Sequence, residues 1–309
     1  MRKITMVGAG NVGATAVQHI SQKEMCEELV MIDVVEGLPQ GKALDMWESA
    51  PLLGSDTRVR GSNEMADMKD SDLVLITAGL PRKPGMSRSD LLDKNASIIR
   101  GIVENVVNHA PNAMIMVVTN PLDVMTYLAY RVSGFGKERV FGMAGVLDSA
   151  RLRSFVAMEL DVSVREIQAL VMGGHGDSML PLPRYTTVAG IPITQLMDDA
   201  TISRLVERTR KAGGEIVGLL KTGSAYYSPG ASLAEMVEAV AKNKKRLLPC
   251  AAILDGEYGL SDICVGVPVL LGRNGIEKIV EVSLESSEIE ALRTSAEAVR
   301  EDIERLDLR

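Results

Sequence analysis

Aromatic side chains are scarce. Three Phe, six Tyr and one Trp make up 3% of the 309 residues. Apolar residues still reach 46%, so aliphatic side chains and the 17 Met must fill the core. Cysteine is sparse too. Cys26, Cys250 and Cys264 are odd in number and show no CxxC spacing. That excludes a disulfide framework and a zinc site and leaves buried, reduced thiols; no metal is expected. No apolar run approaches the roughly 18 residues of a membrane span, so no membrane partner is expected. The opening MRKITMVGAG has no long apolar core and no small-residue cleavage site, so a cytoplasmic setting is expected. Cations are not in surplus either. The net charge of -7 argues against general nucleic-acid binding, which favours a basic surface.

The length suits two domains or one large α/β domain. Short, nearly continuous apolar runs occur at 3–8, 28–33, 73–77 and 113–118. Such runs suit strands covered on both faces, as in a parallel sheet. Helical patterns lie between them, at 12–23, 38–49, 88–109 and 122–132. The alternation predicts an α/β fold: a Rossmann doubly wound parallel sheet over residues 1–143. The pattern then changes. Residues 144–309 are expected to form an α+β catalytic domain. Helices are predicted at 146–160, 201–221 and 230–242, EIQALVMGG and MLPLPRYTTVAG as strands, and a charged amphipathic helix at 286–307. Asn274-Gly275, between two apolar runs, predicts a hairpin. No repeat or low-complexity linker is present.

GAGNVG at 8–13 fits G-x-G-x-x-G. The pattern alone is weak, but here it follows a predicted strand and opens a predicted helix. Asp33 ends the next strand. Gly8 permits a tight turn, Gly10 lets the backbone approach a pyrophosphate, and Gly13 lets helix and strand pack closely. The helix N-terminus supplies N–H groups and partial positive charge. Asp33 can accept hydrogen bonds from an adenosine ribose and would repel a 2′-phosphate, which favours NAD over NADP. A flavin nucleotide is the alternative, and a turn with an incidental Asp the plainest reading.

GLPRKPGMSR, residues 79–88, sets Arg82, Lys83 and Arg88 among Pro81, Pro84 and Gly85, just past the run LVLIT. This is a solvated loop, an electrostatic lure, or a set of ligands for an anion. His175 is one of three histidines and sits in GGHGD, directly after EIQALVM. The flanking glycines remove bulk, so a ligand could come close. His19 and His109 read as surface or packing residues. In GVLDSARLR, Asp148 and Arg151 stand three apart at a helix start, which suits an ordinary ion pair. Together, however, the three are chemically complete for oxidising a hydroxy acid. A His takes the hydroxyl proton near neutral pH. A carboxylate fixes its tautomer, and an Arg grips the substrate carboxylate.

GAGNVG, Asp33, GLPRKPGMSR, VTNPLD, GVLDSARLR and GGHGD, in that order, resemble the lactate/malate dehydrogenase family across essentially the whole chain. The nearest likeness is to bacterial malate dehydrogenases of lactate-dehydrogenase-like type. The resemblance implies NAD as cofactor, held by Gly8, Ala9, Gly10, Asn11, Val12, Gly13 and Asp33, with Asn95, Val118, Thr119 and Asn120. It implies His175 as proton acceptor, Asp148 as its carboxylate partner and Arg151 as the grip on the C1 carboxylate. Asn120 is matched to both substrate and nicotinamide. Residues 79–88 match a loop that closes over substrate, Arg88 the residue that polarises the carbonyl, and Arg82 the specificity position. Asn95 also reads as an ordinary polar helix residue, and Lys83 as a solvated charge.

Family members typically choose a monocarboxylate with Gln at the specificity position. An Arg there pairs with a second carboxylate, so the implied substrate is a small dicarboxylate, malate or oxaloacetate. Closing the loop on pyruvate would bury Arg82 unpaired, which is costly. The rivals are a lactate or other 2-hydroxyacid dehydrogenase, and a catalytically silent NAD-binding protein. TGSAYYSPGAS at 222–232 falls where the family lines its substrate pocket, with no residue assigned. A homodimer or homotetramer is also implied.

Overall fold

The first half forms the expected strands because both faces of each run are covered. The computed structural model describes residues 1–80 and 88–306, with the side chains of 88 and 89 outside that description. β1 (Lys3–Val7), α1 (Asn11–Gln22), β2 (Glu28–Ile32), α2 (Leu38–Leu53) and β3 (Arg58–Ser62) open the chain. β4 (Leu73–Ile76), α3 (Arg88–His109), β5 (Met114–Val117), α4 (Leu122–Ser133) and β6 (Val140–Gly142) follow. The six strands pair in parallel in the order β3-β2-β1-β4-β5-β6. Every residue of β4 and β5 is buried. The one polar side chain in β1's buried stretch, Thr5, shares a 2.7 Å hydrogen bond with Ser71 Oγ.

The strand order turns back between β1 and β4. At that point the carboxyl ends of parallel strands open a crevice. GAGNVG, residues 77–80 and residues 118–120 all follow strands at this edge.

The second half runs α5 (Gly145–Leu160), β7 (Ile167–Gln168), β8 (Val171–Met172), β9 (Leu180–Pro181), β10 (Thr187–Val188) and β11 (Ile191–Pro192). α6 (Asp199–Leu220), α7 (Tyr227–Ala241), β12 (Arg246–Asp255), β13 (Ser261–Gly272), β14 (Gly275–Ile279) and α8 (Ser286–Glu304) complete it. The doubly wound sheet is present as expected. It is larger than expected, because β12, β13 and β14 add to β6 in antiparallel fashion and make nine strands among the described residues. The Asn274-Gly275 hairpin is there, with Gly275 at φ 90°.

Two readings need correction, and one strand was missed. EIQALVMGG does not form one strand. Its two ends serve different sheets, and where the second begins the Val171 N–H donates to Ser149 Oγ at 3.0 Å. MLPLPRYTTVAG is likewise split, by a 3₁₀ turn at Pro183–Tyr185, where proline withholds ladder donors. β12 escaped notice because Pro249 interrupts it. The position is tolerated where β12 meets β6 at a single pair, Ala251 with Gly142. A second apolar cluster, including Leu152, Val156, Ile167 and Leu205, packs α5 against α6.

Candidate active site

The GAGNVG turn is shaped by its glycines. Gly8 has φ +113°, and a Cβ there would stand 2.6 Å from the Ala78 nitrogen. A Cβ on Gly13 would meet the Gly8 carbonyl at 2.0 Å. Gly10 differs: nothing lies within 4 Å of where its Cβ would be. α1 starts beyond it with no capping side chain and no acidic residue in its first turn. Its first N–H groups and the positive end of its dipole are therefore offered to an anion. Asp33, just after β2, accepts the Ala9 N–H at 2.7 Å and the Val35 N–H at 3.0 Å. Lys42 of α2, which sequence reasoning passed over, donates to the Ala9 carbonyl at 2.7 Å. An open turn, an uncapped helix start and a carboxylate at the next strand's end fit a dinucleotide.

The second group lies after β4 and β5. The Val118 N–H donates to the Ile76 carbonyl at 2.9 Å, and Thr119 Oγ1 donates to the Ala78 carbonyl at 2.7 Å. Asn120 is exposed and joined to Pro121 by a cis peptide. Asn95 of α3 is 1% exposed, so it is no solvated helix residue. Its Oδ1 accepts the Leu80 N–H at 2.8 Å, and its Nδ2 donates to the Asn120 carbonyl at 2.8 Å. It ties the end of the 77–80 stretch to the turn after β5.

The third group forms around His175. α5 carries Asp148 and Arg151 one turn apart. Asp148 is 1% exposed. Its Oδ2 lies 2.8 Å from His175 Nδ1 and its Oδ1 accepts from Arg151 Nη1 at 3.2 Å. An ionised carboxylate only accepts, so Nδ1 carries the proton and Nε2 is left as the basic nitrogen. Burial pulls the His175 pKa down. The Asp148 charge and hydrogen bond, with the Asp123 charge, outweigh it and lift the group above its ordinary 6.5, against Arg151. Arg151 Nε is buried without a partner among the described residues.

The loop that carries His175 is anchored residue by residue. Gly173 and Gly266 of β13 exchange backbone hydrogen bonds at 2.9 and 3.1 Å. The Gly174 N–H donates to Ser295 Oγ of α8 at 2.7 Å. The His175 N–H donates to Asp123 Oδ2 of α4 at 2.7 Å. Asp123 is 4% exposed and its Oδ1 has no partner among the described residues. Burial pushes its carboxyl up to about 6, against the His175 N–H and the His175 charge. Sequence reasoning quoted VTNPLD but gave Asp123 no part. An acid in a helix's first turn reads as a dipole partner.

The structure thus brings His175, Asp148 and Arg151 together, and Asp33 onto the GAGNVG turn. Arg82 and the side chain of Arg88 lie outside the described residues. A cavity of about 910 Å³ opens at the amino ends of β1, β2 and β3, away from His175. Its lining interleaves Arg2, Lys3, Glu24 and Glu28, so it presents no charge of one sign. Among the described residues, no group of three or more His, Cys, Asp or Glu is arranged to hold a metal ion.

Comparison with known proteins agrees with this geometry along the full length. Residues 2–142 match the lactate/malate dehydrogenase NAD binding domain, and residues 145–307 match the lactate/malate dehydrogenase alpha/beta C-terminal domain. The chain is 59% identical to a malate dehydrogenase of Salinibacter ruber, over 98% of this chain and 96% of that protein. It is 57% identical to one of Chloroherpeton thalassium, over 99% and 98% respectively. A lactate dehydrogenase of Cryptosporidium parvum, solved with lactic acid and nicotinamide adenine dinucleotide, is 40% identical and superposes with a TM-score of 0.95, covering 99% of this chain and 98% of that one. With family models matched to both halves and relatives 57–59% identical over nearly the whole chain, the chain belongs to the lactate/malate dehydrogenase family.

Proposed function

We propose that this protein is an NAD-dependent malate dehydrogenase, carrying hydride reversibly between (S)-malate and oxaloacetate. One observation carries the chemistry: a basic imidazole nitrogen prepared by the 2.8 Å His175–Asp148 contact, with Arg151 on the carboxylate's other oxygen. The choice of malate rests on the relatives' names and on Arg82 at the specificity position. Residues 1–143 are read as the cofactor unit and 144–309 as the substrate unit.

When bound, NAD supplies the hydride acceptor. Gly8 to Gly13 form its cradle: backbone N–H groups meet the pyrophosphate, and Asp33 holds the adenosine ribose. Val118, Thr119 and Asn120 line the nicotinamide side, braced by Asn95. In malate oxidation, His175 Nε2 would take the proton from the hydroxyl oxygen while the carbon bearing it gives up its hydride, for which bound NAD would be the acceptor. Asp148 stabilises the resulting imidazolium and keeps the ring from turning. Arg151 binds the C1 carboxylate with the donors that Asp148 does not use. Arg82 meets the second carboxylate and Arg88 the charge growing on the carbonyl oxygen in reduction. By the family resemblance the segment 79–88, of which residues 81–87 lie outside the described residues, would cover the pair and exclude water.

The setting is read as cytoplasmic and the state as a homodimer or homotetramer. Burial pushes the Cys26 thiol up to about 12, and Cys250 and Cys264 are buried and raised as well. Unreactive thiols suit a reducing compartment. No described helix is long and apolar enough to cross a membrane.

The deciding experiment is a paired assay. NADH oxidation is expected to be at least about 10³-fold more efficient with oxaloacetate than with pyruvate, as expected when a polar group would otherwise be buried unpaired. Equal or reversed efficiencies would overturn malate in favour of a monocarboxylate.

A further inference from the structure

We propose that Asp123 is a positioning residue for the proton transfer, holding His175 by its main chain while Asp148 holds its ring. The proposal rests on reading His175 as the proton acceptor.

The first argument is mechanical. Of the three anchors on residues 173–175, two come from the second half of the chain: Gly266 of β13 and Ser295 of α8. The third, Asp123 Oδ2 on the His175 N–H at 2.7 Å, comes from α4. The residues immediately before α4 are Val118, Thr119, Asn120 and Pro121. Asp123 therefore joins the backbone of the proton acceptor to the turn read as lining the nicotinamide. A carboxylate accepts an N–H more strongly than a neutral oxygen does.

The second argument is charge. Asp148 already divides its oxygens between Arg151 and His175. Arg151, Asp148 and a protonated His175 together leave one positive charge in a buried site. Asp123 is ionised above about pH 6 and makes no ion pair within the described residues. It balances that charge when the imidazole takes a proton. The groups facing the pair are few. α5 supplies Asp148 and Arg151, and α4 supplies Asp123. β13 supplies Cys264, a thiol raised by burial and by Asp123 and so uncharged. α8 supplies the neutral Ser295.

Asp123 has one oxygen buried without a partner, which a purely structural acceptor does not need. An amide of the same shape could take the N–H without burying a charge. The test is therefore Asp123→Asn beside Asp123→Ala in the full chain. The pH dependence of kcat/KM for oxaloacetate reduction by NADH would be measured for each. Histidine ring NMR would follow His175 without substrate, the signal being assigned with His175→Asn.

In Asp123→Asn the His175 midpoint is expected to fall by about one pH unit, the shift typical of losing a nearby opposite charge. The reduction rate should then fail at correspondingly lower pH. Asp123→Ala should show the same shift and, in addition, about a tenfold to hundredfold loss in kcat, with NADH affinity within about twofold. A His175 midpoint in Asp123→Asn unchanged to within about 0.2 unit would remove the charge role. An Asp123→Ala enzyme with full kcat would remove the positioning role. If Asp123→Ala does not fold, Asp123→Asn decides the charge role and Asp123→Ser, a polar side chain too short to keep the His175 N–H bond, decides the positioning role by the same kcat comparison. If the unaltered protein does not reduce oxaloacetate, the proposed substrate fails, while the NMR midpoint still judges Asp123.

Discussion

Asp148 serves two cations with one carboxylate, and that sharing sets the pH behaviour of the site. His175 has its pKa lifted above 6.5. Oxaloacetate reduction needs the imidazolium, so it should fail as pH rises past the lifted value. Malate oxidation needs the neutral ring and should rise over the same interval. A rate profile in both directions checks this, and a common midpoint below pH 6 would contradict it. His175→Asn is expected to lower turnover by about 10²–10⁴-fold, the usual worth of a general base, with NADH binding intact by fluorescence titration. Persisting activity would point to another base. Arg82→Gln should erode the oxaloacetate preference. Stability links to pH with one sign for both groups at this site. His175 has a raised pKa, so its contribution is full below the unfolded value and is lost as pH rises through the folded one. Asp123 is also raised, to about 6. Its contribution is therefore present at low pH and lost as pH climbs through about 6, the reverse of a salt-bridged carboxylate. Asp123→Asn should accordingly raise the Tm at pH 8 and give no gain near pH 4. A lower Tm at pH 8 in that variant would contradict this. His175 was legible because GGHGD isolates it among three histidines. Asp123 was not, because its partner is a main-chain N–H 52 residues away in sequence.

The turn from β1 into α1 separates two duties that the motif alone assigns together. Gly13→Ala drives a Cβ into the Gly8 carbonyl at 2.0 Å, so it should destabilise the fold itself. A drop of several degrees in Tm is expected, in line with a loss of about 1–3 kcal/mol from overpacking. Gly10→Ala meets nothing within 4 Å, and φ at Gly10 is -64°. It should leave Tm nearly unchanged yet weaken NADH binding about tenfold or more, because the new methyl occupies the approach of the pyrophosphate. Calorimetry with NADH titration checks the pair. Equal effects on Tm would mean the turn has no open side. Elsewhere, apolar runs were legible as strands where helices cover both faces, as in β1, β2, β4 and β5. EIQALVMGG failed as one strand because its two ends are recruited to different sheets, a choice made by distant partners.

The assembled molecule leaves large apolar side chains in water. On α2 they include Leu44, Trp47 and Leu52, the last 89% exposed, and on α6 Leu219 and Leu220. An isolated apolar side chain is ordinary, but several on one helix suit a surface covered by a second copy. Light scattering is expected to give two or four times the 33.3 kDa of the chain, and Leu52→Lys should shift the protein toward smaller particles. A monodisperse single chain at all concentrations would remove the assembly. The ordered motifs and the two hydrophobic periods were enough to name the α/β class and the family and to single out His175, Asp148 and Arg151, which the fold brings together, because each depends on neighbours close in sequence or on a distinctive residue type. The joining of β12 to β6, the burial of Asn95 between two turns, and the grip of Asp123 on His175 depend on pairings between distant segments. Side chains acquire those partners when the sheet brings strands together, and burial then decides which polar groups are satisfied and which are left charged.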